Sequence, residues 1–174
     1  LVGNGHAATL WGAFPEITED IRRRRENVRF LPGIPLPEEL VLTNDLAAAI
    51  SPAEMVIFST PVVHLRSVAE KAAALLRGRP ERRVVSVAKG IEQGTLLLGS
   101  QVIRQVAGVE DIAVLVGPSH AEEVARGLPT TVVAAARDEA FAVRVRETFM
   151  NERFRVYTSA DVLGVEIGAA VKNV

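Results

Sequence analysis

Residues 84–95 read VVSVAKGIEQGT, an apolar run that stops at a lysine, a glycine and a loop. The run does not alternate polar with apolar. That is the pattern of a strand buried on both faces, as in a parallel sheet covered by helices. Residues 83–87 therefore predict a strand, with Lys89 just past its carboxyl end, where ligands collect in open parallel sheets. Lysine is scarce in this chain. Seventeen of the twenty basic residues are Arg, and the lysines are Lys71, Lys89 and Lys172. Arg stays charged in proteins, whereas a lysine amine can give or take a proton. Lys89 is thus the first candidate for an active site, with a solvated loop lysine as the bland alternative.

Outward from this stretch the same grammar repeats. Towards the amino terminus, strands are expected at 7–11, 41–43 and 55–59, and helices at 15–25, 45–50 and 60–76, Pro15 and Pro61 being suited to first helical turns. Towards the carboxyl terminus, helices at 96–106, 121–126 and 138–150 alternate with strands at 112–116, 130–136 and 154–157, and a further helix opens near Asp161. The fold class is α/β, a doubly wound Rossmann-like parallel sheet. FLPGIPLPEEL at 30–40 carries three prolines and a glycine and is expected to be irregular, wrapping over a neighbour. The four arginines at 22–25 cannot share one helix face and are expected to form a solvated helix end.

The 174 residues suit one ordinary domain, with a further unit opening at the end: 1–158 as the sheet domain and 159–174 as the start of a helical one. Gly164, Gly168, Ala169 and Ala170 would let that last helix pack closely. Apolar residues make up 48% and the net charge is -1, so a polyanion partner such as nucleic acid is not suggested. There is no Cys, which removes thiolate chemistry and fits a reducing compartment. No run approaches the ~20 apolar residues of a membrane span. Leu1 and the uncapped apolar segment at Val174 read as the ends of a piece of a longer protein.

Two further places carry candidate chemistry. Lys172, beside Asn173 in the small-residue helix, could be pressed into a partly desolvated site that lowers its pKa. A plain helix-end lysine is the alternative. Gly117, Ser119 and Ala121 follow a strand and open a helix, so their backbone could hold an anionic oxygen; a simple Ser119 N-cap would explain the spacing equally well. His6, His64 and His120 show no metal-ligand spacing. Gly3, Gly5 and Ala8 fit G-x-G-x-x-A, but that turn opens a strand instead of a helix, which rules out the dinucleotide fingerprint.

Four segments, RENVRFLPGIPLP (25–37), VSVAKGIEQGT (85–95), VLVGPSHAEEVARGLPT (114–130) and FRVYTSADVLGVEIGAAVKNV (154–174), occur in this order and at these separations. Together they resemble the bacterial-type NAD(P)-dependent glycerol-3-phosphate dehydrogenases, over essentially the whole chain. The resemblance implies a Rossmann-like domain joined to a helical substrate domain, and an oxidoreductase that reduces dihydroxyacetone phosphate to sn-glycerol 3-phosphate, a glycerophospholipid precursor. It implies NAD or NADP as cofactor, a phosphorylated small-molecule substrate, a cytoplasmic location, and a full-length protein for which a homodimer is one assembly. Carried over by position, Lys172 is the proton-transfer lysine and Lys89 contacts both cofactor and substrate. Gly117, Ser119 and Asn173 fall at substrate positions, and Ala121, Ala13 and Phe14 at cofactor positions.

The chain departs from the family pattern by lacking the glycine-rich turn and the first strand, and by placing Gly12, Ala13 and Phe14 where a basic residue often follows the second strand. On this reading the piece alone is close to inactive, and its sheet exposes an unpaired edge that favours association. A ketopantoate reductase-like dehydrogenase and a catalytically silent nucleotide-binding module are the alternatives.

Overall fold

The structure is a computed structural model that describes residues 1–79 and 83–171. A 3-10 turn at Val2–Asn4 leads into β1 (Thr9–Trp11), α1 (Pro15–Arg24), β2 (Glu26–Asn27), β3 (Leu31–Pro35), β4 (Val41–Thr43) and α2 (Leu46–Ile50). The alternation continues through β5 (Met55–Phe58), α3 (Val62–Leu76), β6 (Arg83–Ser86), α4 (Gly99–Ala107), β7 (Ile112–Val116) and α5 (Ala121–Ala125). It closes with β8 (Thr130–Ala135), α6 (Glu139–Phe149), β9 (Phe154–Ser159) and α7 (Val162–Val171).

β5 to β9 form one five-stranded sheet in sequence order, while β1 and β4 pair in parallel as a separate ribbon. Successive residues of β6 face opposite ways, as a strand's pleat requires. Val84 packs with Leu65, Ala69, Val102 and Ile103 of α3 and α4, and Val85 with Phe141, Ala142 and Val145 of α6. Both faces of the sheet are therefore covered by helices, which is why its strands need no polar alternation. No described helix is long and apolar enough to cross a membrane.

Four details differ from the sequence expectation. The sheet is parallel from β5 to β7, but β8 runs antiparallel to β7, and β9 follows β8 in parallel. The cause is the short link. Between β7 and β8 the chain has only thirteen residues, 117–129, five of them in α5, which is close to the minimum of about a dozen that a parallel crossover takes, and it descends from where β7 ended.

The proline-rich segment is a hairpin and not irregular. β3 pairs with β2, Gly33 N donates to Glu26 Oε1 at 2.6 Å, and the two prolines of β3 are tolerated because this is an edge. It does wrap, since β3 lies against α5.

The arginine run is only partly solvated. Arg23 and Arg24 pair with Asp20, but Arg22 reaches Leu42 O at 3.0 Å and Arg25 reaches Leu40 O at 3.2 Å, tying the end of α1 to β4 and its approach.

Finally, Leu96 does not open a helix. It adopts a left-handed conformation (φ 60°) in a loop closed by Glu92 N to Leu97 O at 2.8 Å, and α4 begins at Gly99.

Candidate active site

β6 delivers Lys89 to the carboxyl end of the sheet and β7 delivers Gly117, Pro118 and Ser119 to the same end, because the two strands run parallel and in register. There the side chains meet. Lys89 Nζ donates to Ser119 O at 2.8 Å and to Ser119 Oγ at 3.1 Å, across thirty residues of sequence, and both groups are half-buried. The turn that presents Ser119 is tight, with Ser119 N on Gly117 O at 2.8 Å. A Cβ on Gly117 would come within 2.8 Å of Thr131 O and 2.9 Å of Val132 Cα, so only glycine lets β8 descend this close. Ser119 is not an N-cap. His120 occupies that position in α5, without a side-chain cap, which leaves the Ser119 hydroxyl turned to Lys89.

The loop that carries Lys89 is braced from below. Arg66 of α3 makes a two-pronged bond to Glu92, Nε to Oε1 at 2.9 Å and Nη2 to Oε2 at 2.7 Å, and Nη2 also reaches Gln105 Oε1 at 2.8 Å. Thr95 Oγ1 donates to the same carboxylate. The Arg66 guanidinium, and then Thr95, hold the Glu92 carboxyl below its ordinary range.

On the other side of α4 lies a second carboxylate. Glu166 of α7 is 4% exposed, accepts from Ser100 N at 3.0 Å, and accepts from Ser100 Oγ as well. Burial pushes its carboxyl up, opposed by the two Ser100 bonds and by Arg104. Neither brace was singled out in the sequence. A lone carboxylate inside GVEIGAAV is the signal that could have revealed Glu166, because an acid is seldom fully buried without a partner.

Ala121 follows Ser119 by two residues, while Ala13 and Phe14 belong to a different strand end. Ala121 opens α5 and is exposed. Ala13 and Phe14 form the turn between β1 and α1, with Phe14 61% exposed. That turn is held rigidly: Gly12 N donates to Thr43 O at 2.9 Å, and Asn44 Nδ2 donates to Gly12 O at 2.7 Å and to Thr18 Oγ1 at 2.8 Å. Lys172 and Asn173 lie outside the described residues. The residues present fit a nicotinamide coenzyme, with a strand-end ammonium at Lys89 and an exposed aromatic face at Phe14 able to meet a planar base.

The family profile described as the NAD-dependent glycerol-3-phosphate dehydrogenase N-terminus matches residues 1–142. The chain belongs to this family. It is 43% identical over 174 residues to a glycerol-3-phosphate dehydrogenase (NAD(P)+) of Agathobacter rectalis, covering 100% of this chain and 51% of that protein. It is 45% identical over 177 residues to one of Citrifermentans bemidjiense, covering 100% and 52%. Among solved structures, glycerol-3-phosphate dehydrogenase from Coxiella burnetii superposes with a TM-score of 0.89 at 30% identity, over 97% of this chain and 51% of that one. The chain thus spans about half the length of the curated relatives it matches. The family match decides for the glycerol-3-phosphate dehydrogenases over the ketopantoate reductase-like alternative.

Proposed function

We propose that the full-length protein is an NAD- or NADP-dependent oxidoreductase that interconverts dihydroxyacetone phosphate and sn-glycerol 3-phosphate. The observation that carries this reading is the meeting of Lys89 with Ser119 at the carboxyl end of β6 and β7, in a chain of this family. A bound nicotinamide supplies or receives the hydride.

The chain's own residues do the rest. In the reduced direction the substrate's carbonyl oxygen gains negative charge, and the Lys89 ammonium stabilises it in a corner partly withdrawn from water. Lys172 gives a proton to that oxygen and becomes a neutral amine; in the oxidative direction the neutral amine takes the hydroxyl proton back. Gly117, Ser119 and Asn173 hold the substrate, and Ala121, Ala13 and Phe14 flank the coenzyme. Residues 159–174 open the helical domain that completes the substrate site. The same reading places the product at the head of glycerophospholipid synthesis, in the cytoplasm, with a homodimer as the assembly of the full-length protein.

The experiment is oxidation of NADH and of NADPH by dihydroxyacetone phosphate, run on the full-length protein beside Lys172→Ala. Turnover that falls at least about 100-fold in the variant supports the proton-transfer role. A folded wild-type protein with no turnover from either coenzyme would put the silent nucleotide-binding module in its place.

A further inference from the structure

α4 begins without a cap of its own. Leu98, at its N-cap, has no side-chain acceptor, and Gln101 Oε1 turns back to Leu98 N at 2.9 Å. The first-turn donor at Ser100 is instead satisfied from sixty-six residues away, by Glu166. An acceptor at a helix start is ordinarily supplied by the residue before it. Here a different helix supplies it, at the cost of burying a carboxylate.

What that bond joins is specific. Gly99, one residue before Ser100, is pressed on the end of β6: a Cβ there would lie 3.2 Å from Ser86 Oγ and 3.4 Å from Ala88 Cβ. Ala88 precedes Lys89. On the other side, Glu166 stands in the middle of α7, six residues before Lys172. β9 runs away from the end of the sheet that carries Lys89 and stops level with Ala135, opposite Val114 in the middle of β7; after two more residues comes α7. By its fifth residue it has reached the start of α4. The surrounding charged groups, Arg104 on α4, Arg137 after β8 and Asp161 before α7, line the cleft of about 280 Å³ beside the bond.

We propose that Glu166 is a positioning residue: by anchoring α7 on the first turn of α4 through Ser100, it sets the segment running into Lys172 against the segment carrying Lys89. This rests on the dehydrogenase reading above. If two ammonium groups must act on one oxygen, an ångström of slack between their segments costs about 100-fold in rate, and a two-pronged bond to a buried carboxylate removes that slack.

The test uses the full-length protein, with any cysteine outside this cysteine-free stretch replaced by serine. Spin labels at Ile91→Cys and Leu163→Cys, both exposed positions, report the distance between the Lys89 loop and α7. The expected result is a narrow distribution in the wild type, a broadened one in Glu166→Ala, and a narrow one again in Glu166→Gln, whose amide oxygen still accepts from Ser100 N. Kinetics measured below the unfolding transition should follow: kcat lower by about 100-fold in Glu166→Ala with KM little changed, and largely restored in Glu166→Gln. Ser100→Ala, which keeps the backbone bond and loses only the hydroxyl, folds more safely and should lower kcat by about 5-fold, the worth of one ordinary hydrogen bond.

An unchanged distance distribution together with unchanged kcat in Glu166→Ala would overturn the proposal, as would a variant that melts earlier but turns over normally while folded. If the wild type shows no turnover, the dehydrogenase reading fails. The spin-label distances then still decide whether the anchor exists.

Discussion

Two carboxylates flank α4, and they are held by opposite means. Glu92 meets the guanidinium of Arg66 near the surface, in an ion pair with both partners charged. Glu166 is sunk between α4 and α7 and is held by the backbone and hydroxyl of one serine. The first braces the loop behind Lys89, and the second braces the helix that leads to Lys172. The contrast teaches that the two segments answer to different physics: one is secured by charge and is open to solvent screening, the other by burial and hydrogen-bond completeness.

The largest break in that comparison comes from Glu166→Ala, which leaves the Ser100 N–H and hydroxyl without their acceptor in a buried place. Chemical denaturation should show a loss of about 1–3 kcal/mol, insensitive to salt. Arg66→Ala should cost less, and raising the salt concentration should shrink the difference between it and the wild type, since a partly exposed pair is already weakened in the parent. If Arg66→Ala proves the more damaging and Glu166→Ala the salt-sensitive one, the assignment of the two braces is reversed.

Smaller still is the pH response, and here the two carboxylates should differ in sign. The Glu166 carboxyl is raised, so the folded protein binds its proton more tightly than the unfolded chain, and stability falls as pH rises from the ordinary glutamate value through the raised one. Glu92 is lowered, so its contribution is complete above the ordinary value and is lost as pH falls through the depressed one. Glu166→Gln should remove the first slope and Glu92→Gln the second, each read from denaturation midpoints across the acid range.

Much of this fold could be read from the chain, because strands buried on both faces write themselves as unbroken apolar runs and the intervening helices carry their own starts and stops. VVSVAK gave β6 and put Lys89 at its end. Proximity across strands was harder. Nothing local says that Ser119 would turn its hydroxyl to Lys89 instead of capping α5; that follows from β6 and β7 lying side by side. The reversal of β8 was hidden in a length, since the thirteen residues between β7 and β8 barely suffice for a parallel crossover. The prolines at 32 and 35 read as breakers of structure, although an edge strand accommodates them. The bond between Ser100 and Glu166 spans two helices that no periodicity relates.

The most direct test of the central claim is Lys89→Met in the full-length protein, with kcat/KM for dihydroxyacetone phosphate as the measurement and the unfolding transition recorded alongside. The account predicts a loss of about 100- to 1,000-fold in a protein that still folds, because the ammonium aimed at the developing oxygen charge is gone while its methylene stem still fills the corner. Turnover within a few-fold of the wild type would contradict it, and would return Lys89 to the role of a loop residue that only ties β6 to the Ser119 turn.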